Sequence, residues 1–165
     1  MTGTGGTTSA ADSLATPPSA TTLPGYVTDV APEWIDYNGH MSEAYYVLVF
    51  GFATDRLMDR LGLDAAYREA TGCSLYTVES HIRFLDEVSL DSRLQVKAHL
   101  VSAGAKKLHL AYEMVVGSTV VATEEILALH VNQAEGGTVP FPEEVRARIA
   151  TLDTHLPEWS GRRIG

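Results

Sequence analysis

Asp36, Asn38, Gly39 and His40 fall inside one short segment, Trp34-Ile35-Asp36-Tyr37-Asn38-Gly39-His40-Met41-Ser42-Glu43, directly before an apolar run that opens Ala44-Tyr45-Tyr46. A carboxylate such as Asp36 can take a proton from water or attack an electrophile itself. The residues that follow are suited to start a helix, whose first backbone amides stabilise negative charge. A base beside such donors is the equipment for addition to a carbonyl group through an oxyanion. Gly39 lets a substrate approach the backbone closely. Aspartate and asparagine are also ordinary turn formers, and Asp36 and Asn38 have that reading too. His40 either donates to a substrate or holds the turn by a hydrogen bond. Glu43 is favoured by the helix dipole as an ordinary first-turn glutamate. It could equally serve as a supporting carboxylate or a cation-binding group.

The elements around this segment must position it. Residues 26–35 read as a first strand, with Pro32 forcing an edge or bulge. Ser42 is a good N-cap, and Gly62 a good C-terminal stop, for a helix of about 19 residues spanning ~28 Å. Tyr46, Val49, Phe50, Ala53, Leu57 and Leu61 form a stripe at spacings of three and four. Between Ala44 and Ala53 the helix is apolar almost all round, so something must wrap it. Gly51 in its middle suggests close approach by another backbone or a ligand, or a tolerated packing glycine. Asp64 to Ala70 could add a short helical turn. Four strands follow, at 74–87, 92–102, 106–116 and 119–132, joined by turn-like breaks that include Gly117-Ser118, and three successive hairpins would make them an antiparallel meander. Pro142 to Leu152 reads as a terminal helix. The expected class is α+β, an antiparallel sheet curled around one long central helix: the hotdog fold. A cystatin-like or transport-factor-like roll is the competitor, and it usually needs more helix before its sheet.

Composition bounds the rest. With 165 residues and 45% hydrophobic content, the chain supports one domain with a real core. Residues 1–24 are mostly Thr, Ser, Ala, Gly and Pro and read as a disordered tail; the domain runs from 25 to 152, and 153–165 reads as a C-terminal loop. The net charge of -9 disfavours nucleic acid and anionic lipid as partners. No run approaches the ~18 apolar residues of a membrane span. The single cysteine, Cys73, and the lack of a secretory leader fit a cytoplasmic protein. No helix-spaced zinc signature is present, and no Gly-x-Ser-x-Gly, so neither a metal nor a serine elbow is expected.

Asp36-x-x-Gly39-His40-Met41-x-x-Ala44-Tyr45 resembles the opening motif of hotdog thioesterases related to 4-hydroxybenzoyl-CoA thioesterase, departing from it at Ser42 and Glu43, where asparagines are common. Glu33 to Met41, Tyr76-Thr77-Val78-Glu79-Ser80-His81-Ile82-Arg83 and Lys107-Leu108-His109-Leu110 look most like the betainyl-CoA thioesterases of carnitine breakdown. The resemblance covers about residues 25–142. It implies hydrolysis of a coenzyme A thioester in a homodimer or homotetramer, with sites between the helix of one subunit and the sheet of its neighbour. It implies no cofactor, coenzyme A being part of the substrate. The competing functions are a hotdog enoyl-CoA hydratase, whose motif is not found, and a non-catalytic acyl-CoA-binding module.

On this reading Asp36 is base or nucleophile, Asn38 orients thioester or water, and amides near Gly39, His40 and Met41 form the oxyanion hole. Trp34, Tyr37, Tyr45, Tyr46 and Tyr76 are expected to gather at the pocket, where aromatic faces would attract a trimethylammonium acyl group. Lys106 and Lys107 are a candidate contact for the coenzyme A phosphates, or else a solvated hairpin. By strict alternation Thr77, Glu79, His81 and Arg83 share one face of their strand, and Tyr76, Val78, Ser80, Ile82 and Phe84 the face toward the helix. The polar face is solvated, or lies in an interface from which Glu79 and His81 reach a neighbour's site.

Overall fold

The structure is a computed structural model that describes residues 23–161. The chain enters through β1 (Tyr26–Asp29), a single 3-10 turn (Pro32–Trp34) and the long helix α1 (Glu43–Leu61). There follow α2 (Ala65–Thr71), β2 (Cys73–Phe84), β3 (Arg93–Ala103), β4 (Lys107–Val116), β5 (Thr119–Asn132), β6 (Gly137–Thr138) and α3 (Glu143–Ala150). The sheet is antiparallel in the order β1-β3-β4-β5-β2, with β6 on β5, and it curls around α1 as a hotdog fold; the expected meander holds only from β3 to β5, because β2 lies at the far edge on β5 and leaves β3 to pair with β1. No helix among the described residues is long and apolar enough to cross a membrane.

The buried stripe of α1 is Tyr46, Val49, Phe50, Ala53, Leu57 and Leu61, as its spacing predicts, and Gly62 closes the helix in the left-handed region at φ 74°. The expected strand over 26–35 is shorter. It stops at Asp29, because Pro32 has no N–H to give the ladder, and only Ile35 returns to pair, with Met41. Most of the expected tail, residues 1–22, lies outside the described residues. Leu23, grouped with it by composition, is buried in the core, and Gly25 passes so close to the Val96 carbonyl that a Cβ would sit 2.9 Å from it. The described residues after α3, 151–161, contain no helix or strand, yet they are pinned across the outer face of the sheet. His155 N–H donates to the Leu100 carbonyl (2.8 Å) and Trp159 Nε1 donates to Glu113 (2.9 Å).

Two departures from regularity shape the site. The first is in β2. Its register with β5 shifts between Thr77 and Glu79, which makes Val78 the extra residue of a bulge. Strict alternation therefore fails: Leu75 and Thr77 face α1 before the bulge, and Ser80, Ile82 and Phe84 face it afterwards. Tyr76, expected on the helix side, is turned away and 41% exposed. The second is the incomplete cover on α1. Val47 and Leu48 are 48% and 40% exposed, and a Cβ on Gly51 would meet nothing within 4 Å. One chain alone does not wrap the apolar helix, and the open side lies next to the free edge of β2.

A carboxylate sits in this core. Ala122, Glu124, Ile126 and Ala128 occupy alternate positions of β5 and all are buried; Glu124 is 5% exposed. Burial pushes its carboxyl up to about 7, opposed by the Ser80 hydroxyl, which donates to its Oε1 at 2.7 Å. The folded chain therefore holds this proton more tightly than the unfolded chain does. Its contribution to stability is complete below the ordinary carboxylate range and is lost as pH rises toward 7. Glu124→Gln should consequently gain stability over the native chain across that window, by on the order of 3 kcal/mol at its upper end. Parallel denaturation profiles for the two proteins between pH 4.5 and 8 would contradict this.

Candidate active site

Asp36 stands in a closed turn. Its N–H donates to the His40 carbonyl (2.9 Å), and Gly39 N–H returns to the Asp36 carbonyl (3.0 Å). Asn38 N–H donates to Asp36 Oδ1 at 2.8 Å. One carboxylate oxygen thus orients the side chain, and the other is available for chemistry. Gly39 adopts φ 84° with open space where a Cβ would be, so what it supplies is conformation rather than room. Gly39→Ala should destabilise the protein by about 1–2 kcal/mol, measured by thermal unfolding; an unchanged midpoint would mean that the turn relaxes freely.

The amides available to an oxyanion differ from those expected. The Gly39 amide closes the turn, and the Met41 amide donates to the Val88 carbonyl at 2.7 Å. The reason is local. The chain must pair Ile35 with Met41 to return from the 3-10 turn, and that pairing engages the nearby donors. α1 starts only at Glu43. The amides of Glu43 and Ala44 precede any helical carbonyl that could accept them. Tyr45 N–H already turns back to the Ser42 carbonyl (3.0 Å). The first-turn amides of Glu43 and Ala44, beside that of His40, are the donors this geometry offers.

The turn forms one wall of an open groove of about 570 Å³ that contains Asp36, Asn38, His40, Met41 and Glu43. Tyr46 and Phe84 close the opposite side, their rings edge-on at 5.2 Å. Asp86 and Glu87, on the connection after β2, form the rim. The Tyr46 hydroxyl donates to the Asp86 carbonyl (3.4 Å), and burial raises the phenol above its usual range. His40 Nε2 lies 3.3 Å from Glu87 Oε2, in a pair exposed enough to add little stability. That contact ties the turn to the rim. The lining contains four carboxylates and neither lysine nor arginine.

Several residues expected here lie elsewhere. Tyr37 points to solvent at 96% exposure, and Trp34 stacks on Tyr45 at 5.6 Å as a separate pair. Tyr76 is eight residues from Phe84 on the same strand, ~26 Å away at the rise of a β-strand, and its hydroxyl accepts from Gln133. Glu79 and His81 lie on the outer face of the sheet, as alternation predicts. There they border a second groove with His109 and Glu125, whose side chains meet at 2.5 Å. Lys106 and Lys107 sit at the β3–β4 hairpin, whereas the Asp36 turn lies by the other end of the sheet. Each strand is about ten residues long, so these positions are ~30 Å apart. Lys106 Nζ donates to the Thr138 carbonyl (2.9 Å). In one chain, then, neither lysine, nor Tyr76, Glu79 or His81, reaches Asp36. Phe84, Asp86 and Glu87 were not foreseen. Their only trace in the sequence is an aromatic at a strand end followed by an acidic pair.

Residues 30–149 match the thioesterase-like superfamily. The chain is 42% identical over 151 residues to a betainyl-CoA thioesterase of Pseudomonas aeruginosa, covering 87% of this chain and 94% of that protein. It is 40% identical over 147 residues to an L-carnitine dehydrogenase/betainyl-CoA thioesterase of Rhizobium meliloti, covering 84% of this chain but 29% of that longer protein. A hypothetical protein from Staphylococcus aureus, solved in complex with CoA, superposes with TM-score 0.82 at 28% identity, covering 91% of this chain and 99% of the other. A proposed thioesterase from Pseudomonas putida superposes with TM-score 0.73 at 35% identity, covering 85% and 94%.

Proposed function

The chain belongs to the thioesterase-like superfamily, and from that premise we propose that it hydrolyses short acyl-CoA thioesters, betainyl-CoA foremost. The observation that carries this reading is the placement of Asp36 in an open groove beside the unpaired first-turn amides of α1. The thioester carbonyl oxygen accepts from those amides, where the helix dipole favours its developing charge. Asp36 takes the proton of an attacking water, or adds to the carbonyl carbon and is released from the resulting anhydride by water. In either route the carbon–sulfur bond breaks and a C–O bond replaces it. The proton that water gives up ends on the sulfur of coenzyme A. Asn38 orients water or thioester, and His40 holds the turn against Glu87. No cofactor enters these steps.

The acidic, partly aromatic groove favours a cationic acyl group and repels phosphate, so coenzyme A must leave it toward a more basic surface. A second copy of the chain would supply that surface. β2 is a long free edge, and Val47, Leu48 and Gly51 lie uncovered beside it. Two β2 edges paired antiparallel would bring the lysine hairpin and Tyr76 of the partner to the same end of the joined sheet as this chain's Asp36. The test of function is release of free thiol from a series of acyl-CoAs. Cleavage of betainyl-CoA ahead of acetyl- and longer neutral acyl-CoAs is the expected order. No thiol release from any of them would remove the reading.

A further inference from the structure

Glu124 takes no part in the chemistry drawn above, yet it occupies a position where a core residue would be more stabilising. Its neighbours along the inner face of β5, Ala122 and Ile126, are apolar, and its one hydrogen bond comes from Ser80. A carboxylate buried this deeply without a cationic partner is unfavourable for folding, and such groups are more often found where a ligand completes them. Glu124 is not sealed in. It forms part of the wall of a cleft of about 290 Å³ between α1 and β2, with Val47, Gly51, Thr54, the exposed Asp55, Thr77 and Ser80, and neither lysine nor arginine lines it.

This cleft continues the catalytic groove. An intermediate hollow lined by Glu43, Val47, Ser80, Ile82 and Phe84 shares Glu43 and Phe84 with the groove, and Val47 and Ser80 with the cleft. Glu43 and Val47 are one helical turn apart, ~6 Å along α1. A thioester carbonyl held at the first-turn amides could therefore send its acyl chain along the helix toward Glu124. The ammonium of a betainyl group, two bonds from the carbonyl carbon, stops short of this depth. One four bonds away, as in a 4-(trimethylammonio)butyryl chain, extends two bonds further toward it.

We propose that the α1–β2 cleft is an acyl pocket and that Glu124, at its floor, selects acyl-CoAs whose cationic end lies about one helical turn beyond the thioester. The proposal rests on the thioesterase reading and extends its substrate class from betainyl to longer ammonium-bearing acyl groups. A cation in the cleft would complete the buried carboxylate, which burial otherwise drives toward its protonated form.

The experiment uses two pairs of CoA thioesters of equal shape that differ in one charge: 4-(trimethylammonio)butyryl- against 5,5-dimethylhexanoyl-CoA, and betainyl- against 3,3-dimethylbutyryl-CoA. The ratio of kcat/KM within each pair isolates the charge. The native protein should prefer the cationic member of the longer pair. Glu124→Gln should reduce that preference about tenfold or more, as expected for loss of a coulombic contact between opposite charges in a shielded site. The reduction should be smaller for the shorter pair, and Glu124→Asp should retain part of the longer pair's preference. An equal ratio for the longer pair in the native protein, or one that Glu124→Gln leaves intact, overturns the role of Glu124 while leaving the thioesterase reading standing. A protein inert toward all four thioesters removes both.

Discussion

Replacing Asp36 by asparagine should lower turnover at least ~10²-fold, the lower end for loss of a general base, while shifting stability by less than about 1 kcal/mol. The two effects separate because the carboxylate has two tasks. Its Oδ1 accepts from Asn38 N–H at 2.8 Å, and an asparagine carbonyl oxygen can accept the same bond and hold the same turn. What the amide lacks is basicity and nucleophilicity at the other atom. Glu43→Gln should lower turnover less, since the contribution drawn from position 43 is its backbone amide, which the substitution keeps. Turnover and thermal unfolding measured on both variants decide the matter. Near-normal turnover in Asp36→Asn with a dead Glu43→Gln would exchange the roles of the two carboxylates. Full activity in both would move the chemistry out of this groove.

Gly51→Arg should turn the protein into a monomer and depress turnover by ~10²-fold or more, the scale expected when a site loses the partner surface that positions its substrate and the arginine enters the cleft that Gly51 lines. A side chain at position 51 meets nothing within 4 Å in a single chain, and exchanging a mid-helix glycine for arginine favours the helix by up to ~1 kcal/mol. The protomer should therefore keep its circular dichroism spectrum. A second copy docked over Val47, Leu48 and the β2 edge would meet a long charged side chain at the centre of the contact. Sedimentation at micromolar concentration should show a dimer or larger assembly for the native chain and a monomer for the variant. A native monomer with full activity, or a Gly51→Arg assembly as active as the native one, would show that the open face of α1 serves some other purpose.

The residues proposed to carry the chemistry were legible as a cluster because their signal is local. Asp36, Asn38, Gly39 and His40 lie within one turn, and the apolar stripe from Tyr46 to Leu61 repeats with the helical period, so both are determined by neighbours in sequence. The β3–β4 and β4–β5 hairpins follow from glycine and polar turns of the same short range, but the turn after β2 makes no hairpin: β2 pairs with β5 and β3 with β1, an order that local turns do not determine. The placement of partners was not legible. One extra residue at Val78 exchanges the expected faces of Tyr76 and Thr77 while leaving those from Glu79 onward, and alternation counted along the sequence carries no mark of it. Nor can local pattern say at which end of the sheet the lysine hairpin lies relative to Asp36, since that depends on how whole strands pair. The free amides lie at Glu43 and Ala44 rather than at Gly39 and Met41 because the Gly39 amide closes the Asp36 turn and the Met41 amide pairs with Val88, a contact made only in the folded chain. By itself the sequence determined which residues could react and which helix would hold them, through interactions between near neighbours. Tertiary structure alone decided which side chains share the groove, because pairing across the sheet sets faces, ends and free donors together.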